Sequence, residues 1–312
     1  MGMTAEKFCR QIIKNTHIIV NILLLTLILL ISAFAVYALW DSNRLYYAAD
    51  KSHYAIYKPT ASNEGKSFKE LQALNPEVIA WLNVYGTNID YPVTQGRENM
   101  KYVNANAEGL YSLSGAIFLD SVNSKDFSDF NSIVYGHHME KKAMFGEIGS
   151  FLYKDMFDSH QFGSIYFNEA EHGIEFFAFV HADAYDNGIF RPNVIGEWRQ
   201  VYLDYIFKKA IHIRDIGVTE NDNIILLSTC SSGSTNGRDI LIGIITDEAH
   251  EDSTLNADGN NDSGAKDNPF CLVIEIPWWL TMLIMLTLLI IMRLIASIAV
   301  DQYHRHNKKI LP

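Results

Sequence analysis

The chain reads as a mostly-β domain, closed or nearly closed into a barrel, set between two apolar spans. Three observations predict this. Short runs of β-branched and aromatic residues alternate with Gly/Asn/Asp turns between residues 78 and 246. One stretch among them, Glu197–Ile211, is instead rich in helix formers. On either side, residues 18–39 and 276–292 are apolar over about the length that crosses a bilayer.

Taken in order, Lys7, Arg10 and Lys14 precede the first apolar stretch and place residues 1–17 in the cytoplasm. No small-residue cleavage site precedes Trp40-Asp41, so residues 18–40 form an uncleaved transmembrane helix. Residues 41–66 are a polar, tyrosine-containing stalk with some helix. An amphipathic helix begins at Ser67-Phe68-Lys69-Glu70-Leu71 and ends before Asn75-Pro76. Strands are expected at 78–84, 89–93, 115–119, 132–135, 165–167 and 174–182. In the inserted helix, Trp198, Val201, Tyr202, Tyr205, Ile206 and Ala210 recur at three- and four-residue steps and form its apolar face. The barrel occupies residues 67–249, and the Asp/Asn/Ser/Gly tract at 250–270 is a flexible acidic linker. Trp278 and Trp279 open a second transmembrane helix over 272–300. Arg305, Lys308 and Lys309 mark 301–312 as a cytoplasmic tail. The expected topology is a cell-membrane protein with two spans, both termini inside and the barrel outside.

The net charge is −11 although both expected cytoplasmic ends are basic, so the exported part is more acidic still. That excludes nucleic acid as a partner and disfavours a surface that hugs anionic lipid.

Cys230 carries the chemistry. It closes the apolar run Ile224–Cys230; turn formers fill 231–237, and Arg238 opens the run Asp239–Ile245. This is a β-hairpin, which brings the thiol and the guanidinium to neighbouring strands roughly 5 Å apart at the backbone. Cys9 and Cys271 lie outside the barrel, so Cys230 has no disulfide partner within it. A lone thiol beside a fixed cation suits a nucleophile, because the cation raises the thiolate fraction. A small buried core residue is the other reading of a single cysteine. The imidazole candidate follows the strand 132–135, in Gly136-His137-His138-Met139. Spacing leaves His137 and His138 as rivals. No HExxH or cysteine partner accompanies them, so no metal and no cofactor is expected. Ser228 and Thr229 precede the nucleophile and, with Tyr135, are candidate substrate-binding residues. Met144 and Phe145 fit the core.

These segments resemble class B sortases. Tyr135-Gly136-His137-His138-Met139 with Met144-Phe145-Gly146 is similar to the family's histidine motif, and Leu227-Ser228-Thr229-Cys230 followed by Arg238 to its cysteine–arginine signature. The segments 75–82, 89–93 and 115–120 complete the pattern over roughly residues 66–247. The resemblance implies a closed eight-stranded β-barrel with N-terminal helices and a long inserted helix. It implies a cysteine transpeptidase that cleaves a C-terminal sorting signal of secreted surface proteins at a Thr–Gly bond. Cys230 would form the thioacyl enzyme. His137, directly after the glycine, would be the general acid/base, and Arg238 would bind substrate or stabilise the oxyanion. An amine from peptidoglycan or from a pilin would resolve the intermediate.

One feature departs from that pattern. A second span is more usual of the class C pilin polymerases, yet no Asp-Pro-aromatic lid motif precedes the barrel. The same residues would also serve a membrane-tethered cysteine protease that hydrolyses its substrate. A non-catalytic surface binding module with an inert Cys230 is the third reading.

Overall fold

A computed structural model describes residues 5–59, 66–230 and 236–252, together with positions 290 and 293. Two compact units divide the chain, the second being Asn43–Ser263. The described part of the first is helix α1, Ala5–Ala49, which itself runs on into the second unit. Within α1, Thr16–Asn43 is long and apolar enough to cross a membrane. Its Leu23, Leu30 and Phe34 side chains are exposed, as a helix without a protein partner would leave them. Apart from positions 290 and 293, the second span at 272–300 lies outside the described residues, as do the tail at 301–312 and nearly all of the linker at 250–270.

The second unit is the barrel. The expected stalk is shorter than its sequence suggests: α1 reaches Ala49, and two 3-10 turns, Lys51–His53 and Ala55–Tyr57, follow. Helix α2 spans Lys66–Leu74. Nine strands then form one sheet: β1 Val78–Val84, β2 Asp90–Thr94, β3 Ile117–Leu119, β4 Asn131–Tyr135, β5 Phe162–Phe167, β6 Ala170–Asp183, β7 Ala210–Ile213, β8 Ile224–Cys230 and β9 Gly237–Thr246. Helices α3, Lys154–Ser159, and α4, Trp198–Lys209, lie between strands.

Strand order is β5-β1-β2-β3-β4-β8-β9-β6-β7, and β5 also pairs with β6. The second pairing closes eight strands into a ring and leaves β7 as an appendage on β6. The eight-stranded barrel is therefore present, with one short strand added. Two pairs in the ring are parallel, β2 with β3 and β4 with β8.

Side chains from every ring strand meet in one core, which fills the barrel; Leu82, Val93, Leu119, Val134, Leu227 and Phe176 belong to it. A second core lies on the outer face, where Ile133, Ile224, Leu226, Ile240 and Ile242 pack with Tyr202, Leu203 and Ile206 of α4. Strand β8 thus alternates between two buried faces. This is why its sequence is continuously apolar rather than alternating with polar residues.

The inserted helix stands where expected but presents a different face. Trp198 and Val201, placed on the apolar side by spacing, are 51% and 54% exposed, and Leu203 is buried in their stead. The helix also stops at Lys209. Residues 210–213 pair with β6 as β7 instead of extending the helix to Ile211.

Candidate active site

The parallel pairing of β4 and β8 sets Tyr135 opposite Ser228. Two residues further along each chain stand His137 and Cys230. The Gly136 N–H donates to the Ser228 carbonyl at 3.1 Å and ties the two chains where they leave the sheet. Gly136 has no room for a side chain, because a Cβ there would lie 2.7 Å from the buried Phe145 ring. On the other side of β8, Cys230 is the cross-strand partner of Arg238 in β9. The hairpin inferred from sequence is correct in register.

His137, Cys230 and Arg238 line one open cleft of about 410 Å³. Cys230 is a free, exposed thiol, so the inert-core reading does not hold. The His137 Nε2–H donates to the Val103 carbonyl at 2.8 Å, since that carbonyl can only accept. In the neutral ring, Nδ1 is then the bare acceptor. Gly115 makes this contact possible. Its φ of +62° is left-handed, and a Cβ there would stand 2.6 Å from the Tyr102 carbonyl and 3.0 Å from the His137 ring. Among the described residues, the Arg238 guanidinium makes one hydrogen bond, from Nη1 to its neighbour's carbonyl at Gly237. Its remaining donors have no protein partner among those residues.

Ser228 and Thr229 also line the cleft, and both are 2% exposed. Neither hydroxyl has a hydrogen-bond partner among the described residues. Both oxygens are themselves sealed from the open cleft. Tyr135 lines the cleft as well. Its phenol is pushed well above its ordinary value of 10, by burial first and by the neighbouring Asp120 charge second. His138 is absent from the lining, and its Nδ1 is buried with no partner among the described residues. The structure therefore separates the two histidines that spacing left as rivals. Met144 and Phe145 belong to the core.

Five further lining residues escaped sequence reading: Asn99, Val103, Phe118, Ala184 and Phe190. Phe118, Tyr135 and Phe190 form an aromatic wall, with ring centroids 5.4 Å apart in the first pair and 6.4 Å in the second. Asn99 and Phe190 sit in loops, where nothing in local spacing marks a cleft residue.

No family model matches the chain. A curated sortase B of Listeria monocytogenes serovar 1/2a is 31% identical over 166 residues, 53% of this chain and 67% of that protein. The sortase B of Staphylococcus aureus (strain NCTC 8325 / PS 47) is 29% identical over 163 residues, 52% of this chain and 67% of that one. The chain belongs to the class B sortase family. Among solved structures, the sortase B from the type II pilus of Streptococcus pneumoniae is 48% identical. It matches with a TM-score of 0.52 and covers 58% of this chain and 99% of its own. A Streptococcus pyogenes class B sortase involved in pilus biogenesis is 40% identical, with a TM-score of 0.54 and coverage of 58% and 99%. As a class B sortase, this protein is a cysteine transpeptidase.

Proposed function

We propose that the cleft performs acyl transfer with Cys230 as nucleophile, His137 as general acid/base and Arg238 as the oxyanion donor. The observation that carries this is the register pairing of Cys230 with Arg238 in the cleft that His137 also lines. The Cys230 thiolate attacks the carbonyl carbon of a Thr–Gly bond in a sorting signal and forms a tetrahedral oxyanion. The Arg238 fork meets that charge with fixed N–H donors. Collapse breaks the C–N bond as protonated His137 gives its proton to the leaving amine, leaving a thioester on Cys230. An incoming amine then loses a proton to neutral His137, attacks the thioester and releases the thiolate. The Val103 carbonyl holds the ring throughout and leaves Nδ1 to exchange the proton. Ser228 and Thr229 form part of the cleft wall against which the peptide lies.

The acceptor we favour is a pilin amine rather than a peptidoglycan amine. Two solved structures, a sortase B from a type II pilus and a class B sortase involved in pilus biogenesis, are 48% and 40% identical to this chain, against 29% and 31% for the curated sortase B proteins of Staphylococcus aureus and Listeria monocytogenes. The barrel is held outside the cell by α1, with a second span at 272–300 returning the chain to the membrane.

The test uses the full chain in detergent micelles with a panel of sorting peptides, with and without a lysine-containing or oligoglycine amine. Intact mass should show an adduct on Cys230 that is absent in Cys230→Ala and that becomes amine-linked product. An adduct that ends only in hydrolysis would favour the protease reading. Absence of any adduct, with Cys230 unreactive towards a small alkylating reagent, would defeat the catalytic reading.

A further inference from the structure

Asp120 follows β3, is 5% exposed and does not itself line the cleft. It nevertheless holds two residues that do. Its Oδ2 accepts a hydrogen bond from Asn99 Nδ2 at 2.8 Å and another from the Tyr135 hydroxyl at 3.1 Å. Its Oδ1 accepts the Val122 N–H at 2.9 Å. The backbone around it is equally tied: its N–H donates to the Ile133 carbonyl, and its carbonyl accepts from Gln95 Nε2, both at 2.8 Å. The Ser121 N–H completes the arrangement by donating to Asn99 Oδ1 at 2.7 Å.

This geometry decides which way round the Asn99 amide stands. A carboxylate can only accept, so Nδ2 must face Asp120, and a backbone N–H can only donate, so Oδ1 must face Ser121. One Nδ2–H remains for the half-buried, cleft-lining side. The Tyr135 phenol is likewise committed as a donor to Asp120, which orients its ring between Phe118 and Phe190.

We infer that Asp120 is a positioning residue for acyl transfer: from beneath the cleft it makes Asn99 an N–H donor to a carbonyl of an extended peptide and sets the aromatic wall beside it. The inference rests on the acyl-transfer reading above. A buried carboxylate is well suited to this task, because it holds several donors at once and charge-assisted hydrogen bonds resist rotation better than neutral ones.

The test uses the full chain in detergent micelles and a peptide that acylates Cys230. Asp120→Asn cannot supply acceptors to Val122, Asn99 and Tyr135 together, so the Asn99 amide is left with its Ser121 anchor alone and the Tyr135 phenol can lose its acceptor. We expect kcat/KM to fall about ten- to a hundredfold, chiefly through KM. The rate of Cys230 alkylation by a small reagent should be unchanged, which a general loss of structure would not allow. Asn99→Ala should show the same loss, and the double variant should be no worse than the worse single one. Should Asp120→Asn fail to fold, Asn99→Asp carries the test. It keeps the size of the side chain but has no N–H left for the peptide, so its kcat/KM should fall as far as in Asn99→Ala while the alkylation rate of Cys230 is unchanged. Parent-like kcat/KM in Asp120→Asn or in Asn99→Asp, or additive losses in the double variant, would overturn the inference while leaving acyl transfer intact. Absence of an adduct in the parent as well would overturn both.

Discussion

Arg238 separates charge from shape at this cleft. Lysine in its place keeps the positive charge but loses the planar fork of donors. Arg238→Lys should therefore lower kcat for peptide acylation by about a hundredfold, close to the loss in Arg238→Ala, as measured by stopped adduct formation. Recovery of parent activity by lysine would mean that a point charge is enough. Gly115→Ala is the matching experiment on the histidine side. A left-handed residue gains a Cβ against the Tyr102 carbonyl and the His137 ring. Urea unfolding should register a loss of about 1–3 kcal/mol, with acylation falling further than that loss explains. Cys230 and Arg238 were legible as neighbours for a physical reason, because a short loop joins their two apolar runs. Spacing alone left His137 level with His138, and only the family resemblance chose between them. Asn99, Val103 and Phe190 reach the cleft through loops whose course depends on distant packing, and no spacing reveals that.

The segment Asn75-Pro76-Glu77 shows how an element far from the chemistry governs it. Asn75 Nδ2 donates to the Tyr102 hydroxyl at 2.9 Å, which in turn donates to Glu77 at 2.7 Å. Lys101 reaches the same carboxylate oxygen at 2.6 Å. Together they pin the turn Lys101–Val103, whose last carbonyl holds His137. Burial works against the Glu77 charge, yet the hydrogen bonds from Lys101 and Tyr102 outweigh it and keep the carboxyl below its ordinary 4.5. A lowered carboxyl stabilises the fold in full above its unfolded value and loses that contribution as pH falls through its folded value. Glu77→Gln should therefore melt below the parent at neutral pH, by about 1 kcal/mol, with the gap closing as pH drops below that ordinary value. Calorimetry across that window checks it. Elements differ in how readily the sequence discloses them. Strands β1 and β8 have the bounds their apolar runs suggest, because both are buried on two faces or nearly so. Helix α4 does not show the face its spacing suggests. It packs on the barrel through Tyr202, Leu203 and Ile206, and Lys209 ends it so that β7 can pair with β6. Ile211 and Ile213 are half exposed there, an edge pattern that resembles a helix terminus.

For the molecule as a whole, attachment and chemistry should be separable. Deleting residues 270–312 is expected to leave peptide acylation intact while impairing protein anchoring in cells. Unimpaired anchoring would show that α1 alone suffices for function. The barrel class was readable from strand lengths and turns. Closure was expected from the same pattern and from the resemblance, but the strand order was not legible, because it depends on the long-range pairing of β1 with β5 and of β4 with β8. That last pairing has a consequence for how the protein is made. A chain built from its N-terminus completes β4 and its histidine long before β8 and β9 exist. Until those two strands enter, the ring has a gap between β4 and β6, and the cleft has one wall. The reactive sulfur is thus delivered by nearly the last piece of sheet to assemble. In a half-made chain the histidine stands without the cysteine that later shares its cleft.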